Sequence, residues 1–193
     1  MRLFQKLLGG SPKLNVIDKE GLMPEDQFWE IIELSFNHAD GHYEEQKRNL
    51  CSALCEKMPQ DILLFSNRFK QLRENATSWT LWGAFNIIKG SCSDSIFSDF
   101  RDWTIAQGKD FYYKTVEDPD TLVELDKDKI ELEWESIRYI SLQLFEDITG
   151  EPIPQDFLED EVDQTIELSE KSGDLKILLP NLWFKYSQVN KVI

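Results

Sequence analysis

Positive charge and histidine are scarce in this 193-residue chain, which sets 21 Lys and Arg against 36 Asp and Glu for a formal charge of -15, with only two histidines. Nucleic acid binding needs cations laid along the phosphates, so direct association with DNA or RNA is not expected. Cysteine is sparse as well. Cys51, Cys55 and Cys92 are an odd number without framework spacing, which argues against a disulfide scaffold and, with no signal peptide evident, for a reducing, cytoplasmic setting. No apolar run is long enough to span a bilayer. The opening Met1-Arg2-Leu3-Phe4-Gln5-Lys6-Leu7-Leu8 is interrupted by Gln5 and Lys6 and reads as a terminal extension, not a membrane anchor. Alternating apolar and polar runs, internal repeats and low-complexity tracts are also missing, which excludes an extended sheet or a solenoid.

Familiar chemical motifs are lacking too. There is no Walker loop, dinucleotide fingerprint, G-x-S-x-G elbow or zinc-protease helix, and no cofactor is expected. His38 and His42 lie close in sequence to Cys51 and Cys55. Their spacing is unlike the paired ligands of structural zinc sites, and the cysteines alternate with Leu50 and Leu54 as buried thiols would. The run Gly90-Ser91-Cys92-Ser93-Asp94-Ser95 offers hydroxyls and a thiol. Ser91 or Ser93 as a helix cap explains it more simply than a nucleophile does.

What the chain does contain is apolar material with helical spacing. Hydrophobic residues make up 41%, including six Trp and twelve Phe, enough for one packed interior at this length. The expected fold is all-α, a single-domain bundle of seven to eight helices over residues 21–193, with residues 1–20 as an N-terminal extension. Pro24 and Pro59 mark first helical turns, and the nearly all-apolar stretch from Trp79 to Ile88, stopped by Gly90, reads as the central helix. Helices are expected from His42 to Met58, from Ser93 towards Gly108, and over Phe111 to Val116. A long one is expected between Asp126 and Thr149, and a last one from Asp174 to Tyr186, broken or kinked at Pro180.

One group suits either a core or a binding site. Trp79 and Trp82 stand at i, i+3, and Arg101 and Asp102 precede Trp103 on the next helix. These residues form either an aromatic core seam with Arg101 paired to an acid such as Asp94, or the wall of a pocket. The same residues carry a family likeness. Trp79-Thr80-Leu81-Trp82-Gly83-Ala84, Gly90-Ser91-Cys92-Ser93-Asp94, Phe97, Phe100-Arg101-Asp102-Trp103, Gln107-Gly108 and Asp118-Pro119 resemble the bacterial family known as domain of unknown function 4240. Its pattern runs W-x-L-W-x-A, G-G-C-S-D-D, F-x-x-F-R-x-W-L-I-x-x-G, D-P-D. More loosely, the likeness reaches from Phe28-Trp29 to Leu182-Trp183. Ser91 departs from a second Gly and Ser95 from a second Asp. The resemblance implies a bacterial, cytosolic, helical protein in which Trp82, Asp94, Arg101 and Trp103 act as one structural or binding unit, and it implies no particular activity.

The expected function is protein binding without catalysis, of the immunity or regulatory type, with the acidic surface covering a basic partner such as a toxin. Residues 117–135 carry nine acids against two lysines, and residues 151–170 carry eight acids and no basic residue. Glu159, Asp160, Glu161 and Asp163 lie within the second stretch and would supply contact charge. The alternative is a small-molecule site or enzyme pocket around Trp82, Asp94 and Arg101; self-association is a further reading.

Overall fold

A computed structural model describes residues 21–126, 132–134, 136–157 and 172–186. The all-α expectation holds, and no strand occurs among the described residues. Pro24 precedes α1 (Glu25–Asn37), whose first turn holds Glu25 and Asp26, where carboxylates meet the positive end of the helix dipole. Its inner face buries Phe28, Trp29, Ile31 and Ile32. Asp40 and Gly41 then turn the chain with positive φ into α2 (Tyr43–Cys55), which lies along α1. α3 (Pro59–Asn75) starts on its proline, as the sequence indicates.

α4 (Trp79–Lys89) is capped by Ser78, whose Oγ accepts from the Leu81 amide at 3.2 Å, and stopped by left-handed Gly90. Of the two serines offered as the next cap, Ser93 is used: its Oγ accepts from the Ile96 amide at the start of α5 (Asp94–Ala106). α6 (Lys109–Glu117) follows, then a 3-10 turn over Pro119–Glu124. Rings from four helices fill the centre. Phe28 stacks on Phe65 at 4.7 Å, and Phe85 on Phe100 at 4.2 Å. Such pairs add about 0.5–1.5 kcal/mol each beyond the area they bury.

The long helix expected over Asp126 to Thr149 is not formed. α7 spans only Ile137–Thr149, and Leu132 and Trp134 are buried in a non-helical strap. Tertiary contacts override the local period. The Trp134 ring lies face to face on Tyr43 at 4.9 Å, and its amide donates to the Asp99 carbonyl at 3.2 Å, a bond a helical residue would give to its own chain four residues back. A second correction concerns the thiols. Leu50 and Leu54 take the core positions of α2, which leaves Cys51 half-buried and Cys55 exposed.

α7 lies along α3, and a smaller cluster of Ile62, Leu63, Leu142, Phe145 and Phe157 closes that end. Phe157 belongs to a short 3-10 turn, Gln155–Phe157. The rest of the acidic stretch, with any weak helix in it, lies outside the described residues. The expected break at Pro180 divides the last helix into α8 (Ser172–Leu178) and α9 (Pro180–Tyr186). Both pack across α4, where Gly83 leaves room for Leu175: a Cβ there would overlap the leucine side chain.

Candidate functional site: a buried arginine–carboxylate cluster

α5 is buried almost all round: Phe97, Ser98, Phe100, Asp102, Trp103, Thr104, Ile105 and Ala106 are all inside. A charged side chain on such a helix must find partners within the protein. Asp102, with no exposed surface, lies between Arg73 of α3, whose Nε is 3.1 Å away, and Arg138 of α7, whose Nε is 2.6 Å away. Arg138 also pairs with Asp99 and donates to Ser98 Oγ at 3.2 Å, and Arg73 donates to the same hydroxyl. The cluster thus ties α3, α5 and α7 together.

Neither arginine Nε approaches Asp102 along a hydrogen-bond axis, and neither Asp102 oxygen accepts an aligned hydrogen bond. A carboxylate that loses water needs both charge and aligned donors. Here it gets only the first. Burial therefore pushes the Asp102 carboxyl up to about 7, while Arg138, Arg73 and Arg101 pull it back. With no exposed surface, Asp102 meets no solute in this conformation.

Arg101 belongs to the edge of this cluster. It donates to Thr77 Oγ1 and to the Arg73 carbonyl, with its guanidinium 5.1 Å from the Phe97 ring centre. Asp94, the expected partner, is not bonded to it. A residue in the first turn of α5 is seven positions away from Arg101, and Arg101 reaches instead across to the end of α3. The aromatic seam is present: Trp79 and Trp82 stack at 5.3 Å with ring planes 14° apart, and Trp103 stacks on Phe100 at 5.7 Å. Trp82 and Trp103 are buried and Trp79 is half-buried. The indole N–H groups of all three are buried without an acceptor. The structure therefore brings Trp79 and Trp82 together, leaves Asp94 apart from Arg101, puts Asp102 at the centre of the cluster, and includes the unanticipated Arg73, Asp99 and Arg138. Glu159, Asp160, Glu161 and Asp163 lie outside the described residues.

The acids expected to form a contact surface between 117 and 135 are partly committed elsewhere. Asp120 is buried and accepts from the Asn181 amide, the Asn181 side chain and the Leu182 amide at 3.0, 2.7 and 2.9 Å, capping α9. Asp118 caps the 3-10 turn, while Glu124 pairs with Lys114 and Glu133 with Lys89. The His38–His42 segment is a helix-joining turn in which the His38 ring lies 3.0 Å from the Leu34 carbonyl.

Comparison with known families fits this core. The model of a family described as "Protein of unknown function (DUF4240)" matches residues 23–147. The chain belongs to that family. The match takes in α1 to α6 and nearly all of α7, and so every member of the Arg73, Asp99, Arg101, Asp102 and Arg138 cluster. The α8–α9 pair of this DUF4240 protein lies beyond it. No curated protein and no solved structure matches the chain.

Proposed function

We propose that this DUF4240 protein is a non-enzymatic binding module of the immunity or regulatory type, which covers a basic polypeptide such as a toxin. The observation that carries this reading is the distribution of its charge. Only 21 of the 57 charged side chains are cationic, and three of those, Arg73, Arg101 and Arg138, are turned inward around one buried carboxylate. Asp99, Asp102 and Asp120 are drawn in with them, so the exterior keeps the acidic excess of the whole chain. A surface of one sign attracts the opposite sign over roughly a Debye length and speeds its association at low salt.

The test is capture of partners on the tagged protein at low and at high salt, with mass spectrometry of what co-elutes. Affinity is then measured for variants with surface acids reversed. A stoichiometric basic protein lost at high salt supports the reading. An affinity indifferent to charge reversal and to salt refutes it. The small-molecule alternative draws on one observation, the buried indole N–H groups of Trp79 and Trp82 that lack acceptors. A ligand carrying carbonyl or carboxylate oxygens could satisfy them after a local shift, and thermal-shift screening of metabolites tests for one.

A further inference from the structure

The inner side of α1 rests on α2, α3 and α5, and among the described residues its outer side meets only the start of α6, through Lys109. Along that outer side run Asp26, Glu30, Glu33, Leu34 and Asn37, which with Trp29 and Lys109 line an open cleft of about 320 Å³. This volume is at the lower end of the roughly 300–1,000 Å³ typical of small-molecule pockets, and the open form suits one or two side chains of a partner better than an enclosed ligand. Charge and apolarity are both exposed in it. Lys109 engages Asp26 at 3.1 Å and also feels the charge of Glu33, whereas neither Glu30 nor Glu33 is in ion-pair contact with a cation among the described residues. Leu34 is 49% exposed beside them. The α5–α6 corner forms the rim: Gly108, at φ 96°, sits so close that a Cβ there would lie 3.5 Å from Glu33 Cγ.

We propose that this outer face of α1 docks a basic amphipathic helix of the partner polypeptide. An apolar side chain of that helix covers Leu34, and a lysine or arginine enters the cleft between Glu30 and Glu33. The inference rests on the binding-module reading above and assigns it a place. Carboxylates alone would attract any cation. An exposed leucine set beside Glu30 and Glu33, neither of them ion-paired among the described residues, instead selects a surface that offers positive charge and apolar area at helical spacing.

The probe is a synthetic peptide of lysine and leucine patterned as one amphipathic helix. It is titrated into the full chain while amide shifts are followed by NMR at low and moderate salt. Shifts should concentrate on residues 25–38 and 108–110. Leu34→Asp, and separately Glu30→Lys with Glu33→Lys, should each weaken binding by about tenfold or more, while reversal of Asp147 and Glu151 on another side should weaken it far less. All these positions are at least partly exposed, and circular dichroism checks that the variants fold. If the peptide binds but every charge reversal acts alike and Leu34→Asp does nothing, the module reading stands and this site is wrong. If the peptide does not bind at low salt, the module reading itself fails. If Arg2→Glu with Lys6→Glu strengthens binding several-fold, the face is occupied by the chain's own N-terminal segment and the external partner is refuted.

Discussion

Replacing Asp120 should release the α8–α9 pair from the rest of the protein. Its carboxylate accepts three hydrogen bonds, two of them from the first amides of α9. Those amides have no partner within the helix itself. Asp120→Ala removes all three acceptor contacts from a buried position. A lost helix cap costs about 0.5–2 kcal/mol, and the Asn181 side chain loses a charge-assisted bond as well, so a total of about 2–3 kcal/mol is expected. In a chain of this length each kcal/mol lowers Tm by about 2–4 °C, giving a drop of about 4–12 °C if unfolding is cooperative. Asp120→Asn keeps one acceptor and should lose less than half as much. Chemical denaturation gives the total, and amide hydrogen exchange shows where it falls: protection should be lost first in α9 and the adjoining 3-10 turn. If Asp120→Ala loses less than about 0.5 kcal/mol and exchange in α9 is unchanged, α9 is held by its buried leucines and by the Lys185 and Tyr186 bonds to the Val123 and Leu125 carbonyls, and the reasoning is wrong.

Other consequences are equally direct. Gly83→Ala places a methyl against Leu175 and should destabilise by about 1–3 kcal/mol, with Leu175→Ala recovering part of the loss in a double-mutant cycle. Glu25 accepts from the Tyr113 hydroxyl at 2.6 Å and from the Trp29 indole at 3.2 Å, and the Tyr113 bond is the main reason its pKa lies below the usual carboxylate value. Its contribution to stability is therefore present above about pH 4–5 and lost as pH falls through the lowered value; Glu25→Gln should flatten that acid limb in pH-dependent denaturation. Burial pushes the Cys92 thiol up to about 12 and raises that of Cys51, whereas Cys55 is exposed. Alkylation followed by mass spectrometry at mildly alkaline pH should label Cys55 first and Cys92 much more slowly.

The elements that local chemistry dictates were legible in the sequence. Pro59 starts α3, Gly90 ends α4, Ser93 caps α5 and Pro180 parts α8 from α9, because each acts on its own few residues of backbone. The strap at Leu132–Trp134 was not legible. Its apolar residues fall on a helical period, and the Tyr43 ring, the Asp99 carbonyl and Lys89, all distant in sequence, hold it otherwise. The cluster around Asp102 was missed for a related reason: its members come from three helices, and an isolated Arg or Asp resembles a surface charge. One signal was available. Ser98, Asp102 and Ile105 follow one another at i, i+4 and i+7 on a helix already rich in core residues, so the acid had to face inward.

The stacked pair Trp79 and Trp82 also gives the protein an optical signature. Two indoles 5.3 Å apart and nearly parallel couple their electronic transitions, so the near-ultraviolet circular dichroism should carry a signal that a single tryptophan would not. Both rings sit on the helix that α8 and α9 cover. Loosening of that cover would therefore be visible in the intrinsic spectrum, without any attached label.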